Sequence, residues 1–151
     1  MNTLTFVKND VVFRQGEYAD TMYKILSGSV RIVSDFGEEN EKELAVLNAG
    51  DFFGEMGLAE CFPRSATAVI CSETAEVTEF DFADFEYIFK EDPDSVLTIL
   101  RQLADRLSAT NRDYLEAVDT LRKVKAEQGG TAETKTILQR LHDFYLSFLG
   151  Q

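Results

Sequence analysis

Between residues 4 and 80 apolar and polar positions alternate in short runs broken by turn residues. The alternation predicts strands over Leu4–Val7, Val11–Arg14, Met22–Leu26, Val30–Ser34, Glu43–Leu47, Ser65–Ile70 and Glu76–Phe80. Gly16, the pair Ser27-Gly28, the loop Asp35 to Lys42 and the run Asn48-Ala49-Gly50-Asp51 punctuate them. Met22 to Val30 reads as a tight hairpin, with Gly28 supplying the positive φ of its turn. Glu38, Glu39, Glu41 and Glu43 suit a solvated hairpin tip. Many short strands at this spacing predict a barrel or jelly-roll sandwich, so the fold class is α+β, mainly β.

After Phe80 the period lengthens to that of a helix. Asp81 can cap a short helix over Phe82–Lys90, and Asp92-Pro93 then breaks it and starts a long one, about 93–126. Leu100, Leu103, Leu107, Thr110, Tyr114, Ala117, Leu121 and Val124 follow at alternating spacings of three and four, a seam of about three and a half heptads. Such a seam can lie on the barrel, but it is longer than one small barrel needs. Pairing with a second copy is the favoured reading. Gly129-Gly130 then ends the helix. A last amphipathic helix carries Ile137, Leu138, Leu141, Phe144, Tyr145, Phe148 and Leu149 on one wide face. That face can fold back on its own barrel or its dimer mate, or dock on another protein. The expected organisation is one domain over 1–126 and a glycine-hinged helix over 127–151.

Composition narrows the function classes. Of 151 residues 44% are hydrophobic, enough for a packed core, and the net charge is -12. A surface this acidic repels phosphate backbones, so nucleic acid is not an expected partner. The opening MNTLTFVKND lacks the apolar run of a signal peptide, and no segment approaches about 18 apolar residues in a row. The expectation is a soluble, cytoplasmic protein that does not enter membranes. Cys61 and Cys71 read as reduced structural thiols. The one histidine, His142, lies far from the predicted strands, so no metal site is expected and a cupin-type metalloenzyme is a poor fit.

The chemistry concentrates in Phe53-Gly54-Glu55-Met56-Gly57-Leu58-Ala59-Glu60-Cys61-Phe62-Pro63-Arg64-Ser65-Ala66-Thr67-Ala68. Gly54 lets the backbone approach another group, and residues 55–60 suit one helical turn whose first N–H groups can face an anion. Pro63 fixes the approach to Arg64 at the start of a strand. Arg64 offers a planar fork of donors matched to two phosphate oxygens, with the Ser65 hydroxyl beside it. Glu55 only accepts, which suits a sugar hydroxyl. Spacing alone leaves two readings open: a sugar-phosphate site, or an ion pair of Glu55 and Arg64 beneath a loop.

Phe-Gly-Glu-Met-Gly-Leu followed by Pro-Arg-Ser-Ala-Thr resembles the phosphate-binding cassette of the cyclic nucleotide-binding domain family. Gly16-Glu17 with Asp20, Tyr23 with Ile25, Gly28, Gly50-Asp51-Phe52-Phe53, and Phe85 with Pro93 extend the resemblance over about residues 4 to 125. It implies that Arg64 pairs with a cyclic phosphate and that Glu55 accepts from the ribose 2′-hydroxyl. Gly54 and Ala66 would offer N–H groups, Ser65 its hydroxyl, and Met56 would sit among the binding residues. Thr110-Asn111 resembles the polar pair of the long helix that touches the purine, although the pair could instead tune dimer register. Ser65, rather than threonine after the arginine, favours cAMP over cGMP by the same resemblance.

The family's DNA-binding members follow the long helix with a helix-turn-helix, which residues after Ala126 do not supply. The expectation is therefore a non-enzymatic sensor module, a homodimer that answers to a cyclic nucleotide and signals to a downstream protein. The alternative is a domain of the same fold that serves in dimerisation only.

Overall fold

The computed structural model describes residues 1–18, 20–56 and 63–128, together with 136, 139 and 140. The Gly129-Gly130 hinge, the apolar face of the last helix, His142 and Cys61 lie outside the described residues. Residues Met1–Gln102 form one compact unit and Leu103–Gln151 a second.

Among the described residues eight strands precede two helices. They are β1 (Asn2–Val7), β2 (Val11–Phe13), β3 (Met22–Ser27), β4 (Ser29–Ser34), β5 (Lys42–Asn48), β6 (Phe52–Phe53), β7 (Thr67–Ile70) and β8 (Thr74–Phe80), then α1 (Phe82–Glu91) and α2 (Pro93–Gln128). The strands form two antiparallel sheets, ordered β1-β8-β3-β6 and β2-β7-β4-β5. This is the predicted jelly roll followed by a long helix.

One predicted connection differs. Met22 to Val30 is not a hairpin, because β3 pairs with β6 and β8 while β4 pairs with β5 and β7. The chain turns a corner between sheets at Gly28, whose φ is 82°. A Cβ there would stand 2.4 Å from the Thr74 carbonyl oxygen, so the corner is packed too closely for any side chain. The 35–42 segment does close a hairpin, β4–β5, and its glutamates Glu38, Glu39 and Glu41 are exposed, as is Glu43 at the start of β5. There Glu41 accepts from Gly37 N at 2.8 Å and from Arg31 Nη1 at 3.1 Å.

Side-chain alternation explains both core layers. Phe13, Tyr23, Ile25, Val30, Phe53, Ala68, Ile70, Ala75 and Val77, drawn from both sheets, fill the space between them. Met22 and Phe52 point the other way, and Phe80, Ile88 and Ile99 cover them. The strand β3 is thus buried on both faces, which is why its apolar positions do not alternate cleanly with polar ones.

Helix α1 opens on a capping box, with Asp81 accepting from Asp84 N and the Asp84 side chain accepting from Asp81 N. Asp92 joins the helices. Its N–H donates to the Ile88 carbonyl to close α1, and its carboxylate accepts from Ser95 N at 3.2 Å and Ser95 Oγ at 2.6 Å to open α2. Gln102 ties the first turns of α2 to the barrel: its Oε1 accepts from Phe52 N at 3.0 Å and its Nε2 donates to Asp51 Oδ1 at 2.8 Å. Along the seam of α2, Leu100, Leu103, Leu107, Thr110 and Ala117 are exposed in the single chain, while Tyr114 and Leu121 are half-buried. No helix among the described residues is long and apolar enough to cross a membrane.

Candidate ligand site around Arg64

The backbone just before β7 is pinned rather than pleated. Arg64 N donates to the Glu17 carbonyl at 2.8 Å, and Gly16 N donates to the Arg64 carbonyl at 2.8 Å. Tyr18 and Pro63 add an antiparallel bridge. The sequence predicts a strand from Ser65 onward, with Arg64 at its start. The strand begins at Thr67 instead, because the segment at Pro63 and Arg64 pairs with the turn after β2 rather than with a sheet neighbour.

That anchorage turns the Arg64 side chain inward, to 4% exposure. Its Nη1 donates to the Gly54 carbonyl at 2.7 Å and the Thr21 carbonyl at 2.8 Å. Its Nη2 donates to Thr21 Oγ1 at 3.2 Å. The guanidinium carbon lies 4.2 Å from the centre of the Phe13 ring and 5.7 Å from that of Tyr23. The buried Nε has no hydrogen-bond partner among the described residues. Burial pushes the guanidinium pKa below its usual value, opposed by Tyr23, Glu17, Glu55 and Glu79. A desolvated cation with an unused donor gains most from an anion that can reach it.

Gly54 makes this approach possible. Its φ is +77°, and a Cβ built on it would stand 2.7 Å from Arg64 Nη1 and 3.3 Å from Phe13 Cε1. Helical backbone begins at the next residue, over Glu55 and Met56. The rest of the predicted turn, residues 57–60, lies outside the described residues. Glu55 is 9% exposed, and its charge helps to hold Arg64 protonated. Met56 is half exposed, and its Sδ lies 3.7 Å from the Ser65 Oγ, on the solvent side of the cassette. Ala66 is buried immediately before β7.

The Arg64 guanidinium therefore holds the backbone of Gly54 and Thr21, Glu55 follows Gly54 in the chain with its charge acting on Arg64, and Met56 meets Ser65. Thr110 and Asn111 stand on α2 in the second unit, where Thr110 Oγ1 donates to the Arg106 carbonyl at 2.9 Å. Among the described residues there is no group of three or more His, Cys, Asp or Glu side chains able to hold a metal ion. Cys71 is half-buried with its Sγ 3.0 Å from Ser29 Oγ.

Sequence reasoning did not assign three partners of Arg64. Phe13 carries the ring face under the guanidinium, Thr21 supplies two acceptors, and Tyr23 the second ring. The inward parity of Phe13 and Tyr23 was readable from strand alternation. Their meeting with Arg64, far along the chain from both, was not.

Comparison with known proteins gives this arrangement a family. The profile described as the cyclic nucleotide-binding domain matches residues 3–92. The chain belongs to the cyclic nucleotide-binding domain family. It is 33% identical over 106 residues to the cAMP-activated global transcriptional regulator CRP of Salmonella typhimurium, covering 70% of this chain and 50% of that protein. The chain spans about half the length of the curated relatives it matches. In fold it is similar to the catabolite activator protein of Thermus thermophilus, with a TM-score of 0.66 at 22% identity, covering 99% of this chain and 79% of that one. The regulatory domain of Toxoplasma gondii PKA, solved with cAMP, matches with a TM-score of 0.54 at 26% identity over 71% of this chain and 38% of that one.

Proposed function

We propose that this chain is a sensor module that takes up a cyclic nucleotide, cAMP in preference to cGMP, at Arg64. The observation that carries the reading is the buried Arg64 guanidinium, held by the Gly54 and Thr21 carbonyls with no partner for its Nε among the described residues. In this reading the cyclic phosphate meets Arg64, the Ser65 hydroxyl and the N–H groups of Gly54 and Ala66. Glu55 accepts from the ribose 2′-hydroxyl, and Met56 lines the pocket beside it. The CRP relatives, described as cAMP-activated, support the choice of nucleotide.

The domain in this proposal covers residues 1–126, with Thr110 and Asn111 of α2 meeting the purine. Two copies pair along the seam of Leu100, Leu103, Leu107, Thr110, Tyr114, Ala117, Leu121 and Val124, and residues 127–151 carry the output to a downstream protein. Ligand favours one arrangement of barrel and helices through its differential affinity for it. The module performs no reaction, works in the cytoplasm, and binds neither nucleic acid nor membrane.

Calorimetric titration with cAMP and cGMP tests the reading. Saturable binding of one nucleotide per chain, tighter for cAMP, is expected. Heat of dilution alone for both nucleotides would contradict it. Because the chain has no Trp, purine retained through purification also shows directly as added near-ultraviolet absorbance that denaturation and desalting remove.

A further inference from the structure

The geometry points to a hydrogen-bond relay, Glu79 to Tyr23 to Thr21, that aims Arg64 at its ligand; Glu79 and Tyr23 are thus positioning residues for phosphate capture. The inference rests on the cyclic nucleotide reading above.

In β8 the inward positions are Ala75 and Val77, and the same parity brings Glu79 to the inner face at the end of the strand. A carboxylate there needs a donor. Tyr23 lies opposite Glu79 in the antiparallel register, with Phe53 opposite it on the other side. The Tyr23 ring is locked, 6% exposed and stacked at 5.2 Å on Phe53 and 5.9 Å on Phe13. Its hydroxyl can reach Glu79 and Thr21 without moving the ring.

The direction of each bond follows from proton counting. Glu79 Oε1, as a carboxylate, only accepts, so the Tyr23 hydroxyl spends its single proton there, at 2.9 Å. Burial pushes the Tyr23 phenol above its usual pKa, which keeps that proton in place. The Tyr23 oxygen then accepts from the Thr21 hydroxyl, at 3.3 Å. With its proton committed, Thr21 Oγ1 can only accept from Arg64 Nη2, at 3.2 Å. The Thr21 carbonyl and Gly54 hold Nη1 as well. The guanidinium plane is thereby fixed by a chain that starts at Glu79, and Nε is left as a buried donor with no partner among the described residues.

The test measures cAMP affinity of the full chain by calorimetry for Thr21→Val, Tyr23→Phe and Glu79→Gln, with the double variant Thr21→Val/Tyr23→Phe. Thr21→Val keeps the backbone carbonyl, and Tyr23→Phe keeps the ring shelf. Each of these two is expected to raise Kd about three- to tenfold, the worth of one hydrogen bond. The double variant should lose no more than the worse single one, because both cut the same chain. Glu79→Gln should weaken binding in the parent but not in the Tyr23→Phe background. Thr21→Ser should restore parental affinity, which a loss caused by misfolding would not do. Affinities within twofold of the parent, or fully additive losses, overturn the relay while leaving the nucleotide reading intact. Absence of cAMP binding by the parent chain overturns both.

Discussion

Gly54 and Arg64 leave no room for a side chain between them: a Cβ on Gly54 would stand 2.7 Å from Arg64 Nη1, the nitrogen that donates to the Gly54 carbonyl. Gly54→Ala therefore adds a left-handed backbone penalty to a clash with the guanidinium. The expected loss of stability is about 1–3 kcal/mol. Affinity for cAMP should fall as well, because the guanidinium loses the Gly54 carbonyl that holds it in place. Thermal melts and calorimetry on the same preparation check the two effects.

A second prediction concerns the junction of α1 and α2. The Ser95 hydroxyl, then the Ser95 N–H, hold the Asp92 carboxyl below its ordinary pKa of 3.8. A depressed folded pKa means that the stabilisation is complete above the unfolded value and is lost as the pH falls through the lower folded value. Asp92→Ala should lower the melting temperature at neutral pH. The gap from the parent should close as the pH is taken below 3.8, and a gap constant with pH would contradict the capping role.

The third concerns pairing of copies. Leu107 is 48% exposed and contributes little to the fold of a single chain, yet it stands in the middle of the heptad seam. Leu107→Glu should convert a dimer into a monomer in sedimentation, with a melting temperature no longer dependent on protein concentration. A monomeric parent, or a variant that still dimerises, would remove the seam as the interface.

How much of this was legible in the sequence varied with the range of the interaction. Local patterns were: the strands β1, β2, β4 and β5, the Asp81 cap, the break at Asp92-Pro93 and the β4–β5 hairpin all follow from neighbours in the chain. The corner at Gly28 was misread as a hairpin because positive φ serves equally in a tight turn and in a crossing between sheets. Only the pairing of β3 with β8 separates the two. The two-residue strand β6 is too short to show a period, and it exists because Phe53 and Phe52 pair with Tyr23 and Lys24.

The site divided in the same way. Gly54, Glu55, Met56, Arg64, Ser65 and Ala66 are close in the chain, and their spacing carried the family resemblance. Phe13, Thr21 and Glu79 reach Arg64 only through the folded sandwich, Glu79 by way of Tyr23. A threonine in a turn and a glutamate at a strand end have no sequence signal that separates them from solvated residues. Their roles follow from register.

The central claim, that Arg64 holds a cyclic phosphate, is tested most directly by calorimetric titration of cAMP into the parent chain and Arg64→Ala. Loss of a buried charged contact predicts weaker binding by about 3–5 kcal/mol, roughly two to three and a half orders of magnitude in Kd. Equal affinity in the two proteins would contradict the account.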